Sequence, residues 1–382
     1  MNPFLGTSYV HALPDWPNYQ YDLTALMQPV AAVRHRQGLL LGRMEGLGLR
    51  QLEETTLESL TDEVQQSSAI EGEILPRDQV RSSLARRLGL DIGGMVPSSR
   101  HIEGVVEMTL DATRKYTAPL VADRLFGWHG ALFPTGRSGL RKIVVGTWRT
   151  GPMDIVSGEL GTDRERVHYV APDADIVPQL MNDFLRWFES PVISLDPVLK
   201  AAIAHLWFVQ IHPFDDGNGR IGRAIMDMAL TRGDNQPMRF YSMSRQIASD
   251  LSAYYRLLDA IGTGTNLEIT TWLLYFIGCL DRAVDISLYT ADMVLAKVKF
   301  WESVQSLALS ARQRKVLGKL VEGFEGRFTT EKYGKITDTS QDTAARDIRE
   351  MIELGLMVKA AGGGRSTAYE LAPGRFNPPS PT

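Results

Sequence analysis

Apolar residues recur at three- and four-residue intervals through Leu57, Leu60 and Val64, a period that predicts an amphipathic helix ending near Ile70, where Gly72 and Pro76 stop the pattern. The helical signal starts at Leu23. Ahead of it, residues 3–21 hold Pro14, Trp16, Pro17, Tyr19 and Tyr21, a composition that predicts an irregular arm laid over a surface. Gly93, Gly94, Pro97, Ser98 and Ser99 mark a boundary, after which residues 102–113, 120–132, 177–188 and 199–210 read as helices, continuing to about Ser303. One strand-and-turn region interrupts them. Residues 143–145, then Ile155 and Val156, a turn over 158–163, and residues 167–170 predict a hairpin.

A second shift in pattern falls near Leu307. From there the order is helix, glycine-punctuated turn, helix, Ser340 as N-cap, a longer helix to Leu354, Gly355, and two short apolar segments around Gly362, Gly363 and Gly364. That order predicts a winged helix-turn-helix. Residues 373–382 carry four prolines and predict a flexible tail. The fold class expected is mainly α, an all-helical core with a small β-hairpin plus the C-terminal winged helix-turn-helix. The divisions expected are 1–96, 97–303, 304–372 and 373–382.

Composition narrows the function classes. With 382 residues, 44% hydrophobic and 23% charged, the chain is a folded globular protein of two or three domains, not a disordered one. A net charge of −4 argues against a surface given over to nucleic acid or membrane, and leaves room for a local basic patch. Cys279 is the sole cysteine, so no intramolecular disulfide and no cysteine-based zinc finger can form, which fits a reducing compartment. Residues 1–6 show no secretory signal. The apolar run 272–280 falls short of the ~20 residues a membrane helix needs, and Asp281 and Arg282 close it. A soluble, cytoplasmic protein with no membrane partner is expected.

Residues 212–223 concentrate the chemistry: His212, Pro213, Phe214, Asp215, Asp216, Gly217, Asn218, Gly219, Arg220, Ile221, Gly222 and Arg223 lie between two helical patterns. Pro213 biases His212 away from helical geometry, so the preceding helix should stop there and present the imidazole as a general base. Gly217 and Gly219 lack β-carbons, so the backbone can approach an anion and turn its N–H groups inward, with the positive end of the next helix behind them. Arg220 and Arg223, three apart, share one helical face, while Ile221, Ile225 and Met228 line the other. Asp216 beside that cradle suits a hard divalent cation such as Mg²⁺ that also bridges phosphates. The parts describe a polyphosphate site with a base beside it. Taken singly, Asp215, Asp216 and Asn218 are equally turn formers, and the arginines equally a solvated face.

The run 212–223 resembles the Fic family signature HxFx(D/E)GNGRxxR at every fixed position, and eight specified positions give a chance expectation on the order of 10⁻⁸ in a chain this long. The resemblance implies an all-α core that transfers AMP from ATP to a Ser, Thr or Tyr hydroxyl of a target protein. It implies that His212 deprotonates the hydroxyl and Asp216 holds Mg²⁺, with Mn²⁺ an alternative. It further implies that Gly217, Asn218 and Gly219 receive the α-phosphate region, and that Arg220 and Arg223 take the outer phosphates. Phe214 anchors the loop. Family members that phosphorylate, such as the Doc toxins, depart from the core sequence kept here by Gly217, Asn218, Gly219 and Arg220, which favours AMP transfer.

Ser67, Glu71 and Gly72 match the Fic inhibitory pattern (S/T)xxxE(G/N), with Ser67 and Glu71 on one helical face. The resemblance implies that Glu71 pairs with Arg223 and keeps the ATP γ-phosphate out of its productive pose; alone, the match is no more than a surface Glu ending a helix. In some relatives the same Glu helps remove AMP, so the reverse hydrolysis stands as an alternative. The region 153–170 corresponds to the family's flap, which holds a target segment by strand addition; a plain structural hairpin is the alternative. Tyr254 and Tyr255 could line the adenine pocket, with core packing expected for one of them. His101, His129, His168 and His205 lack metal-ligand spacing and read as surface or core histidines.

The winged helix opens a different class, a DNA-binding regulator, with Arg346 and Arg349 on the recognition helix and Arg365 on the wing. Residues 307–371 hold eleven Lys/Arg against nine Asp/Glu, so phosphate neutralisation would be modest. Bacterial relatives combine these same three regions, and the family commonly forms homodimers, so a homodimer is expected.

Overall fold

The computed structural model describes residues 9–157, 166–191, 195–324, 326–360 and 367–379. They group into two compact units, Met1–Ser287 and Leu288–Thr382, and the division falls inside one long helix. The first unit opens with a short 3-10 turn at Val10–Ala12, followed by α1 (Leu23–Glu45), α2 (Leu49–Ile70), α3 (Arg77–Leu88), α4 (Arg100–Arg114) and α5 (Ala122–Leu132). Two antiparallel ribbons follow: β1 (Arg137–Ser138) with β2 (Arg141–Lys142), and β3 (Asp154–Ser157) with β4 (Arg166–Val170). Then come α6 (Val177–Glu189), α7 (Pro197–Ile211), α8 (Asn218–Asp234), α9 (Met243–Ser249), α10 (Leu251–Gly262) and α11 (Thr270–Ser303). Among the described residues the architecture is mainly α, with strands confined to small ribbons, as the periodicity predicts.

The axis of the first unit is α7. Its sequence is apolar on all sides, from Val198 through Ile211, and a helix without a polar face can only be stable inside a bundle. Asp196 caps it by accepting from Val198 N, and Pro197 occupies the first turn, where a missing N–H costs nothing. It packs most extensively on α8, the helix that follows the His212 loop, so the loop is held at both ends by core helices. The sequence signal running from Leu23 to Ile70 resolves into two helices parted at Gly46 and Gly48. The second of these, α2, lies on α3 and α9. Its Glu63 is buried and accepts from Ser242 Oγ at 2.7 Å, Ser244 N at 3.0 Å and the Ser244 hydroxyl.

Two local expectations need correction, while the hairpin stands where the pattern predicts it. Residues 143–145 do not form a strand: Ile143 N donates to Gly136 O, Val144 N to Asp215 Oδ2 and Gly146 N to His129 Nδ1, so its donors hold a loop instead of a ladder. The hairpin is β3–β4, and its turn, 158–163, lies outside the described residues. The tail beginning at residue 373 is partly held, because Arg375 Nε donates to Gly355 O at 3.0 Å and the Phe376 ring meets Phe300 edge-on at 6.2 Å.

The second unit carries α12 (Ala311–Val321), β5 (Phe328–Thr329), α13 (Thr330–Thr337), α14 (Gln341–Glu353), β6 (Met357–Lys359) and β7 (Ala368–Leu371). Its strands form an antiparallel sheet in the order β5-β7-β6. Ser310 closes a capping box with Gln313, and Ser340 caps α14 by accepting from Thr343 N. Val316, Leu317, Tyr333, Ile348 and Met351 form its core. Arg346 and Arg349 both lie exposed on α14, while Gly362 to Gly364 and Arg365 lie outside the described residues.

Where α4 crosses α5, the absence of a side chain at Gly104 is a packing requirement: a β-carbon there would lie 1.8 Å from the Ala131 carbonyl oxygen, which is backbone and cannot rotate away. Gly104→Ala is therefore expected to lower stability by at least the ~1–3 kcal/mol typical of overpacking, read as a lower urea midpoint at unchanged slope. Gly130→Ala on α5, where a β-carbon meets nothing within 4 Å, should leave the midpoint unchanged or slightly raised.

Candidate active site

Helix α7 ends at Ile211, and His212 turns the chain with φ 49° and ψ 60°, a left-handed conformation uncommon for a residue with a side chain. Pro213 excludes a further helical turn. Phe214 then drops into the core, stacked on His129 at 4.3 Å and packed against Trp148 at 5.1 Å. Asn218 folds back over it: Phe214 N donates to Asn218 Oδ1 at 2.9 Å and Asn218 Nδ2 donates to Phe214 O at 2.8 Å. The Asn218 side chain is thus spent on the loop, leaving its backbone for any ligand. Gly217 has φ 79°, and a β-carbon there would lie 2.9 Å from the Phe133 ring, so both conformation and space require glycine. Among the described residues no side chain caps α8, so its first turn presents N–H groups and the positive end of the helix dipole.

His212 Nδ1 lies 3.1 Å from Val209 O, an acceptor only, so this nitrogen carries the hydrogen. Nε2 keeps its lone pair, and no hydrogen bond among the described residues engages it. Burial pushes the imidazole down to about 4, helped by the positive charge of Arg149 and opposed by the Val209 contact, Glu71 and Asp216. The ring is therefore neutral at physiological pH, further from its protonated form than an ordinary histidine. That is the state a proton acceptor requires.

Arg223 is 1% exposed. Its Nε donates to Ser67 Oγ at 2.9 Å, while Nη2 donates to Ser67 O at 2.7 Å and to Glu71 Oε1 at 2.8 Å. Ser67 and Glu71, one helical turn apart on α2, thus grip one guanidinium. The same carboxylate lies over the start of α8, where a β-carbon on Gly219 would be 2.0 Å from Glu71 Oε1. Arg223 Nη1 and Arg220 Nε are buried without a hydrogen-bond partner among the described residues, which is costly unless an acceptor arrives.

The second arginine has a carboxylate that the sequence pattern did not single out. Gly72, at φ 81°, closes α2 with a Schellman turn, Glu73 N donating to Ser68 O at 3.0 Å. The reversal brings Glu73 onto Arg220 at 3.0 Å, with His101 Nε2 2.6 Å from its other oxygen. His101, then Arg220, hold the Glu73 carboxyl below its usual range. The succession Glu71, Gly72, Glu73 was the available signal, since a left-handed glycine between two acids returns the second toward the same helix end.

Glu71, His212 and Gly219 line one cavity of about 720 Å³, together with Asp154, Ile155 and Val156 of β3, Tyr169 of β4, and Tyr255 and Leu258 of α10. Tyr254 also reaches its wall, but is 2% exposed, with its hydroxyl 2.8 Å from His205 Nε2 and its ring near Trp272. Tyr255 is the half-exposed ring, and its hydroxyl donates to Ile70 O at 3.1 Å. His129 and His205 are core residues, whereas His168 stands at the cavity wall with Nδ1 3.5 Å from Asp259. Asp216 accepts from Gly217 N and contacts the Ser138 hydroxyl. Among the described residues no three His, Cys, Asp or Glu converge on a metal position. A single carboxylate beside a phosphate-receptive turn fits Mg²⁺, which is typically bound by one or two carboxylates plus phosphate oxygens and water.

Residues 119–230 match the Fic/DOC family, and residues 9–90 match a domain of unknown function, DUF4172. The protein adenylyltransferase Fic of Aedes aegypti is 30% identical over 241 residues, covering 62% of this chain and 43% of its own length. The protein adenylyltransferase Fic of Drosophila erecta is 28% identical over 239 residues, with the same coverages. The chain therefore spans less than half the length of these curated relatives. The crystal structure of a Fic family protein from Desulfovibrio desulfuricans G20 shares the fold, with a TM-score of 0.54 and 22% identity over 93% of this chain and 99% of that one. Among the described residues no helix is long and apolar enough to cross a membrane.

Burial lowers His129 and His205, like His212, to about 4. The unfolded chain, with histidines near their ordinary value, binds more protons than the folded one between about 4 and 6.5, so stability falls as pH drops through that window. The expected loss is up to about 1.4 kcal/mol per histidine per pH unit, measured by urea unfolding at stepped pH. The His212 ring resonance should not titrate above pH 5.5; a midpoint near 6.5 would contradict the burial described.

Proposed function

Because this chain belongs to the Fic/DOC family, we propose that it is a protein adenylyltransferase that moves AMP from ATP to a Ser, Thr or Tyr hydroxyl of a target protein and is held inactive by Glu71. The observation that carries the reading is one cavity wall bearing a neutral imidazole with a bare Nε2 beside an uncapped helix start whose buried arginines retain unpaired donors. Anion affinity at a helix N-terminus and a base within the same cavity are what in-line displacement at phosphorus needs.

In this mechanism the target hydroxyl gives its proton to His212 Nε2 as its oxygen bonds the α-phosphorus, and the bond from that phosphorus to pyrophosphate breaks. The first-turn N–H groups of α8 receive the α-phosphate region, and Arg220 and Arg223 hold the departing phosphates. Asp216 would hold Mg²⁺, which when bound supplies charge neutralisation across the phosphates. Strand β3, paired on one side only by β4 among the described residues, offers an edge for an extended target segment. Glu71 opposes all of this by placing a carboxylate where the outer phosphates need Arg223.

A hydrogen-bonded charge pair of this kind is worth about 1.5–3 kcal/mol, so removing Glu71 should raise AMP incorporation roughly 10- to 100-fold. The measurement is intact mass after incubation with ATP and Mg²⁺, with α-labelled ATP used to follow the rate. Glu71→Gly should gain an adenylyl mass, and the same variant carrying His212→Ala should gain none. No adenylyl mass in Glu71→Gly, in self-modification or in lysate, would remove the reading.

A further inference from the structure

Arg149 is among the largest fully buried side chains of the molecule, at 2% exposure, and among the described residues no carboxylate pairs with it. Asp215 and Asp173 act on it only through space, and burying a guanidinium without a direct ion pair is expensive, so such a residue persists where its donors are fully used. Here the acceptors are all main-chain carbonyls. Nε donates to His212 O at 2.8 Å, Nη1 to Gly151 O at 2.8 Å and Nη2 to Pro172 O. Its own backbone N–H donates to Pro213 O at 2.9 Å.

The placement of those carbonyls is what matters. Gly151 precedes β3 and Pro172 follows β4, so they are the two feet of the hairpin, while His212 and Pro213 are the residues that turn the chain out of α7. We propose that Arg149 is a positioning residue for the transfer step, its guanidinium fastening both feet of the hairpin to the carbonyl of the base, so that strand and imidazole keep one spacing. The proposal rests on the adenylyl-transfer reading for its catalytic consequence, whereas the fastening itself does not. Tyr169 supports it from β4, its hydroxyl donating to Gln210 O at 3.0 Å near the end of α7.

Geometry, not charge, is the essential part. A planar guanidinium reaches three diverging carbonyls, which a lysine ammonium on a flexible stem cannot reproduce although its charge is the same. Misplacement of about 1 Å between reacting groups costs ~100-fold in rate. The groups acting on the His212 ring are Arg149, which lowers its titration, Val209 O, Glu71 and Asp216, which raise it, and burial, which lowers it most.

The test uses the full chain carrying Glu71→Gly, alone and with Arg149→Lys or Arg149→Met. Both double variants should lose about 100-fold in self-adenylylation rate at saturating ATP and Mg²⁺, with the KM for ATP changed less than about threefold. Arg149→Met should also move the acid limb upward, because a positive charge beside the imidazole is gone, whereas Arg149→Lys should not. Equal falls in kcat and ATP affinity, or full activity in Arg149→Lys, would overturn the proposal. Hydrogen exchange separates it from the reaction: amides of β3 and β4 should exchange at least tenfold faster in Arg149→Lys, whether or not AMP is transferred. If a variant does not fold, the wild-type Arg149 Nε–H decides, since strong protection supports the fastening and exchange at the rate of a free arginine refutes it.

Discussion

A guanidinium held at 1% exposure must be answered by negative charge or good acceptors, and Arg223, on α8 beneath the candidate site, is in that position. In this structure Ser67 and Glu71 of α2 supply the answer. The surrounding features follow from that demand. The uncapped start of α8, the glycines that let a charged group approach, and the unpaired donors on Arg220 and Arg223 make the region a place where an anion is stabilised, whether carboxylate or phosphate. Competition between the two is thus a property of the cradle itself. Any group that binds there displaces another of like charge.

The imidazole depends on the same economy of donors. His212 is neutral because burial and Arg149 lower it, and oriented because Nδ1 is committed to Val209 O. Its backbone is bent by Pro213 and held by Arg149, while Phe214 and Asn218 lock the following turn. Base, cradle and hairpin are connected through α7, α8 and one buried arginine, so none moves without breaking hydrogen bonds inside the protein.

Much of this was legible in the chain, and the reasons are physical. Residues 212–223 declare themselves because proline, glycine, asparagine and arginine are each irreplaceable in geometry, and the end of α2 is readable from its period and from Gly72. Other parts left no trace. Arg149 bonds only to main-chain carbonyls, which every residue type carries, so no partner residue signals its role. Tyr254 and Tyr255 are neighbours about 100° apart on a helix, and only the packed structure decides that Tyr254 meets His205 in the core while Tyr255 is half-exposed at the cavity wall. The apolar residues 143–145 read as a strand from composition, but Gly136 O takes the Ile143 donor and Asp215 the Val144 donor.

The way α2 is anchored also constrains how its carboxylates can leave. Glu63, buried two turns before Glu71, accepts from Ser242 Oγ, Ser244 N and the Ser244 hydroxyl, so a rigid displacement of α2 would strip a buried carboxylate of all its donors. The last turn is tied more lightly: Tyr255 bonds Ile70 O, and Glu71 and Glu73 each make one ion pair to an arginine. Rotating the Glu71 side chain, or fraying α2 beyond Ser68, breaks the Glu71 pair to Arg223 while leaving the two Ser67 contacts and the Glu63 anchor in place. The lower-cost path to an open cradle is therefore local to the turn around Gly72, where the left-handed backbone and the absence of a β-carbon contact leave room for it.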